Sequence, residues 1–120
     1  MFCATITITD ITQKARSLLD LLQNGSGSGY TVKTAVTWSA LTTLGGVAYV
    51  SLQSSYSNAN GSIVYEGDEG VKNDGSCQGK EFQPGDTDVH QAYTMTDHLS
   101  QIYITGSVNG LKINVQISYS

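Results

Sequence analysis

At 120 residues and a formal charge of −4, the chain has the length for one domain with a sizeable core and too little for two. Its six basic residues are scattered, which excludes a cationic patch for nucleic acid or an anionic membrane. No apolar run approaches the roughly 18 residues of a membrane-spanning helix.

The polarity is unusual in kind. Charged residues make up 13% of the chain, against about a quarter in ordinary soluble domains. No Asp, Glu, Lys or Arg occurs from Thr34 to Tyr65, while Glu66 to Asp88 holds seven of the ten acids. Ser, Thr, Asn, Gln, Gly and Tyr supply the rest, a mixture suited to surfaces that pack against other protein.

In chain order, "FCATITIT" alternates Phe2, Ala4, Ile6 and Ile8 against Cys3, Thr5, Thr7 and Thr9, the period of a half-buried strand. A helix is expected next, capped by Asp10 with Gln13 three residues on. Ile11, Ala15, Leu18, Leu19 and Leu22 form its stripe, and Asn24-Gly25 stops it. "GSGSG" makes a flexible exit. "YTVKTAVTW", "GVAYVSLQ", "SIVYEG" and "DVHQAYTM" read as further strands, and "GDEGVKNDGSCQGKE" as an acidic loop. "FQPGD" is a turn, with Pro84 presetting φ and Gly85 supplying a positive one.

The chain ends on "LSQIYITGSVNGLKINVQISYS", which predicts a hairpin about Asn109-Gly110, a pair suited to a type I′ turn. Pairing outward sets Val108 opposite Leu111, Gly106 opposite Ile113, Ile104 opposite Val115 and Ile102 opposite Ile117 on an apolar face. Gln101, Tyr103, Thr105 and Ser107, with Lys112, Asn114, Gln116 and Ser118, share the other face. The expected fold is mainly β: an antiparallel β-sandwich or jelly-roll-like barrel of seven or eight strands with one N-terminal α-helix. Residues 1–29 form the strand, helix and exit, and 30–120 the sandwich of a single domain.

Candidate chemistry is sparse. Asp68, Glu69 and Asp74, with Glu66, offer hard-cation oxygens, but their spacing fits no EF-hand and Lys72 sits among them, so no metal or other cofactor is expected. His90 and His98 lie near Asp86, Asp88 and Asp97 in a spacing that makes no ligand pair by itself. No catalytic elbow, phosphate loop or zinc motif is present, and no residue is nominated as catalytic. Cys3 and Cys77 are in no metal-type spacing. A disulfide between them is open to a sandwich, but the N-terminus has no basic leader with an apolar stretch and cleavage site, so two free thiols made in a cytoplasm are expected. Tyr49, Tyr56 and Tyr93 could serve the sugar-binding platform of a carbohydrate-binding or adhesin-like β-sandwich module, the alternative reading of the chain, or be interface or core residues.

From Gly46 to the end, the order of features resembles small β-sandwich virion proteins of tailed bacteriophages. The matching positions are Val64-Tyr65-Glu66-Gly67, Gly70-Val71, Phe82, Pro84-Gly85-Asp86, and Leu99 with Ile102-Tyr103; "ATITITDITQKARSLL" is similar to the starts of such proteins. The resemblance implies a non-enzymatic structural component of a virion, assembled in the host cytoplasm. Its place would be the capsid exterior as a decoration protein, or the base of a tail or head fibre. Its partners would be the major capsid protein, other virion proteins or copies of itself, a trimer among them, with neither nucleic acid nor membrane. Interfaces are depleted of Lys, Asp and Glu at their centres. The nearly uncharged hairpin face with Gln101, Tyr103, Thr105, Asn114 and Gln116, together with Tyr49, is therefore the expected contact surface, and the span from Thr34 to Tyr65 a second one.

Overall fold

The computed structural model describes residues 2–34, 48–76, 79–92 and 98–119. Its elements in order are β1 (Phe2–Ile8), β2 (Arg16–Ser17), α1 (Leu18–Asn24), β3 (Tyr30–Thr34), β4 (Ala48–Ser54), β5 (Val64–Gly67), β6 (Lys80–Phe82), β7 (Thr87–Ala92), β8 (Tyr103–Gly106) and β9 (Leu111–Tyr119). They form two antiparallel sheets, one ordered β3-β1-β9-β4-β7 and the other β2-β8-β5-β6. The protein is thus mainly β and sandwich-like. Among the described residues it is not a closed barrel, because each sheet ends on strands paired on one side only.

Strand alternation places the core. Phe2, Ala4, Ile6 and Ile8 of β1 share a face with Ile113, Val115 and Ile117 of β9 and with Val50 and Leu52 of β4. Val64, Phe82, Ile102 and Ile104 come from the second sheet and its approach, and all of these join one buried cluster. Burying each of the larger side chains contributes about 1.5–3 kcal/mol.

The terminal hairpin is a correction. β8 pairs with β2 and β5, whereas β9 pairs with β1 and β4, so the two strands lie in different sheets. The segment between them is a corner. Gly110 has φ +91°, but Asn109 is not in the positive-φ region that a type I′ turn requires of both central residues. Its side-chain Oδ1 instead accepts from the Ile11 amide at 2.8 Å, while the Gly110 amide donates to the Ile8 carbonyl at 2.7 Å. Ile104 and Val115 bury against a common core either way, so alternation specified which side faces inward and not which sheet each strand joins.

The helix differs as well. It is seven residues long and begins at Leu18, not after Asp10. The Asp10 carboxylate accepts from the Thr12 amide and hydroxyl at 3.0 and 2.6 Å, closing a local turn. Arg16 and Ser17 then pair with Ile104 and Tyr103. Ser17 caps the helix, its hydroxyl accepting from the Asp20 amide at 3.1 Å. The end at Asn24 agrees with expectation; Gly25 has φ +74° and its amide donates to the Leu21 carbonyl. Leu18, Leu21 and Leu22 bury on the shared core.

β6 spans the end of the stretch read as acidic loop and the first residue of the one read as the "FQPGD" turn, and Gly79 permits it. A Cβ at that position would lie 1.9 Å from the Glu66 carbonyl oxygen, closer than any side chain tolerates. The parts of "YTVKTAVTW" beyond Thr34, and Trp38, Cys77, Tyr93 and Asp97, lie outside the described residues.

Candidate functional site

The open side of the sandwich is where β6, an edge of one sheet, lies near β7, an edge of the other. Polar side chains point inward there. On β7, Asp88 and His90 stand opposite the core residues Leu52 and Val50, which fixes them on the inner face, while Val89 between them is 61% exposed. On β5, Glu66 is paired with Ile104 on one side and Lys80 on the other, so it too faces inward and is buried.

The four side chains meet. His90 Nε2 lies 2.5 Å from Glu66 Oε1 and 2.9 Å from Asp88 Oδ2, and Lys80 Nζ lies 2.9 Å from Asp88 Oδ1. The His98 ring stands beside His90, with centroids 5.2 Å apart. A cleft of about 380 Å³ opens onto the cluster, walled also by Gln101 and Ile102. Burial, followed by the Asp88 carboxylate, pushes the Glu66 carboxyl up to about 7 against the opposing pull of His90. Burial also works against charge on Asp88, but Lys80, Glu66 and His90 outweigh it and hold that carboxyl below its ordinary value. His98 is lowered by burial and by His90. Two carboxylates converging on one imidazole can bind a cation or hold a shared proton.

The acidic-loop residues do not join this cluster. Asp68 Oδ1 accepts from the Gly70 amide at 3.0 Å, and Asp74 Oδ1 accepts from the Ser76 amide at 2.8 Å and from its hydroxyl, so each carboxylate closes its own turn. Glu69 is exposed and lines a separate groove of about 420 Å³ with Ile11, Asp74, Tyr103 and Thr105.

The expected contact residues divide between the sheets. Tyr49, Asn114 and Gln116 lie on the outer face of the five-stranded sheet. Tyr103 is half-buried on the second sheet, and Thr105 is buried beneath Asn73, which reaches the Gly106 and Ile11 carbonyls at 2.7 and 3.1 Å. Gln101 is exposed at the cleft by Glu66. Tyr49 and Tyr56 are both exposed, but they sit at opposite ends of β4, about 17 Å of strand apart, and share no platform. Cys3 is free and exposed.

The outer face of the five-stranded sheet carries few charges, Lys33 and Lys112 among its described residues. Cross-strand partners set Cys3, Gln116, Ser51 and Val89 in one row, and Lys33, Thr5, Asn114, Gln53 and Thr87 in the next. Tyr49 flanks the first row between Ser118 and Gln91. Thr5 donates to Asn114, and Asn114 to Gln53, at 3.4 and 3.3 Å, so part of the polarity is satisfied within the sheet. Val89 joins this face because its two polar neighbours, Asp88 and His90, turn inward, which its sequence alternation alone did not reveal.

No protein-family model matches the chain, and no curated protein or solved structure matches it.

Proposed function

We propose that this β-sandwich is a non-enzymatic structural protein of a tailed-phage virion, a decoration protein that packs on the capsid exterior through the outer face of its five-stranded sheet. The observation that carries the packing is the composition of that face. Across five strands it presents Thr, Ser, Gln and Asn with Tyr49 and Val89 at 43% and 61% exposure, and its described charges are Lys33 and Lys112 toward its margins. Such a surface gives up little hydration when covered, because no carboxylate or ammonium at its centre has to be stripped of water. The virion setting rests on the motif order from Val64 to Tyr103. The residues of that order are core and turn formers: Val64 and Phe82 are buried, and Gly85 has φ +92°. They carry fold and no catalysis, and the partners are the major capsid protein and neighbouring copies.

The test is co-sedimentation of purified protein with expanded heads of the phage that encodes it. The wild type pellets with the heads, and the Tyr49→Asp/Gln116→Glu double variant stays in the supernatant. Equal pelleting of the two, or no pelleting of the wild type, refutes the reading.

A further inference from the structure

The cluster on the opposite, inner side of that sheet carries an inference independent of the docking face. We propose that Glu66, Asp88 and His90 form a binding site for a divalent transition-metal ion of the zinc class, which fastens the open edges of the two sheets together.

The donor count leads there. One imidazole nitrogen, His90 Nε2, faces an oxygen of each carboxylate, and it can carry one proton at most. Lys80 serves the remaining oxygen of Asp88. Glu66 Oε2 is left buried with no hydrogen-bond partner, on a side chain only 8% exposed. A buried carboxylate so poorly matched is costly unless it keeps a proton or a cation completes the site, and a cation is the one of the two that also draws in the His90 and Asp88 donors. His98 supplies a second sign of the same kind, because its Nε2 is also buried without a partner and its ring stands against His90. His98 lies outside the three donors that converge within 4.8 Å, so it flanks the site and is not counted among its ligands.

The geometry and the donor types fit. One donor atom from each of Glu66, Asp88 and His90 lies within 4.8 Å of the others. Bonds of about 2.0–2.2 Å in a tetrahedral site set donors roughly 3.3 Å apart, so the side chains have to part by under about 1 Å. A set of imidazole and carboxylate suits zinc-class ions, whereas calcium requires six to eight oxygens, more than these residues offer. Lys80 would act as the outer partner that orients Asp88. Glu66 belongs to β5 and the other two ligands to β7, so a bound ion joins the two sheets where no backbone pairing does.

The experiment is a zinc titration of the full chain after chelator treatment, by calorimetry, with magnesium and calcium run alongside. The expected result is one zinc per chain, no comparable uptake of calcium or magnesium, and affinity at least about tenfold weaker in Glu66→Gln and in His90→Gln. Cys3→Ser and Cys77→Ser should bind as the wild type does. A second readout needs no ligand variant: in His98→Gln protein the one remaining histidine is His90, and zinc should shift its ring resonances. Sub-stoichiometric uptake, binding that survives both ligand variants, or unmoved His90 signals would show that the cluster is only a hydrogen-bonded clasp.

Discussion

Replacing Gly79 by alanine acts on the joint that holds the candidate metal site together. The new methyl would sit 1.9 Å from the Glu66 carbonyl oxygen and 2.9 Å from Gly67 Cα, where contacts below 3.0 Å essentially never occur. Both obstacles are backbone, so no side chain can swing aside, and β6 must retreat from β5 by about 1 Å. Overpacking of this kind costs about 1–3 kcal/mol. Because β6 pairs at only three positions, retreat also loosens Phe82, a buried ring whose burial contributes about 1.5–3 kcal/mol. A total loss of about 2–4 kcal/mol follows if Phe82 is partly released. With a urea m-value of about 2 kcal/mol/M, the unfolding midpoint falls by about 1–2 M at unchanged pH. Zinc affinity should fall in the same variant, since Lys80 leaves Asp88. An unfolding free energy within about 0.5 kcal/mol of the wild type would refute the close approach of β6 to Glu66.

Three further outcomes follow from the same contacts. In chelator-treated protein Glu66 holds its proton more tightly folded than unfolded, so the folded state binds the extra proton between about pH 4.5 and 7 and stability falls as pH rises through that window. Asp88, His90 and Lys80 are the ionisable groups around it, and Glu66→Gln should flatten this part of a pH series of urea melts; an unchanged slope contradicts the burial of the carboxyl. Asn73→Ala leaves the Ile11 and Gly106 carbonyls without their shared donor and should cost about 1–3 kcal/mol in thermal or urea unfolding, with a neutral result showing that the loop does not seal Thr105. Arg16 holds the Asp20 carboxyl below its ordinary value at an N···O distance of 2.6 Å, so the pair's contribution is present above about pH 4 and lost as pH falls. The pair is partly exposed and worth about 0.3–0.5 kcal/mol, read as the difference between wild type and Asp20→Asn at pH 7 that vanishes near pH 2.

The strands that were legible are those whose alternation coincides with burial. β1 reads out residue by residue, and β4 likewise, with Val50 and Leu52 inward and Tyr49 outward. β6 was not legible, because three residues opening on Lys80 and Glu81 carry no period and their pairing depends on a bare glycine beside another strand. The helix start was ambiguous for a physical reason. Asp10 with Gln13 and Ser17 with Asp20 offer the same capping chemistry, and the competition is decided by Arg16 and Ser17 pairing with β8, a contact distant in sequence. Every cluster residue was visible as a type, yet Glu66 was grouped with the acidic loop and His90 with its neighbours. A signal did exist in "TDVHQA", where the polar Asp88 and His90 alternate with one Val. The strand is inverted, with polar side chains inward, and only its pairing with Val50 and Leu52 reveals that.

Cys3 offers the most direct test of the proposed docking face, because it lies in the same cross-strand row as Gln116, Ser51 and Val89 and its thiol is free and exposed. In a Cys77→Ser background it is the sole thiol, and its alkylation rate can be followed by mass spectrometry in the free chain and in chain bound to heads. The account predicts rapid modification of the free protein and strong protection on the particle. Equal rates in the two states would contradict it.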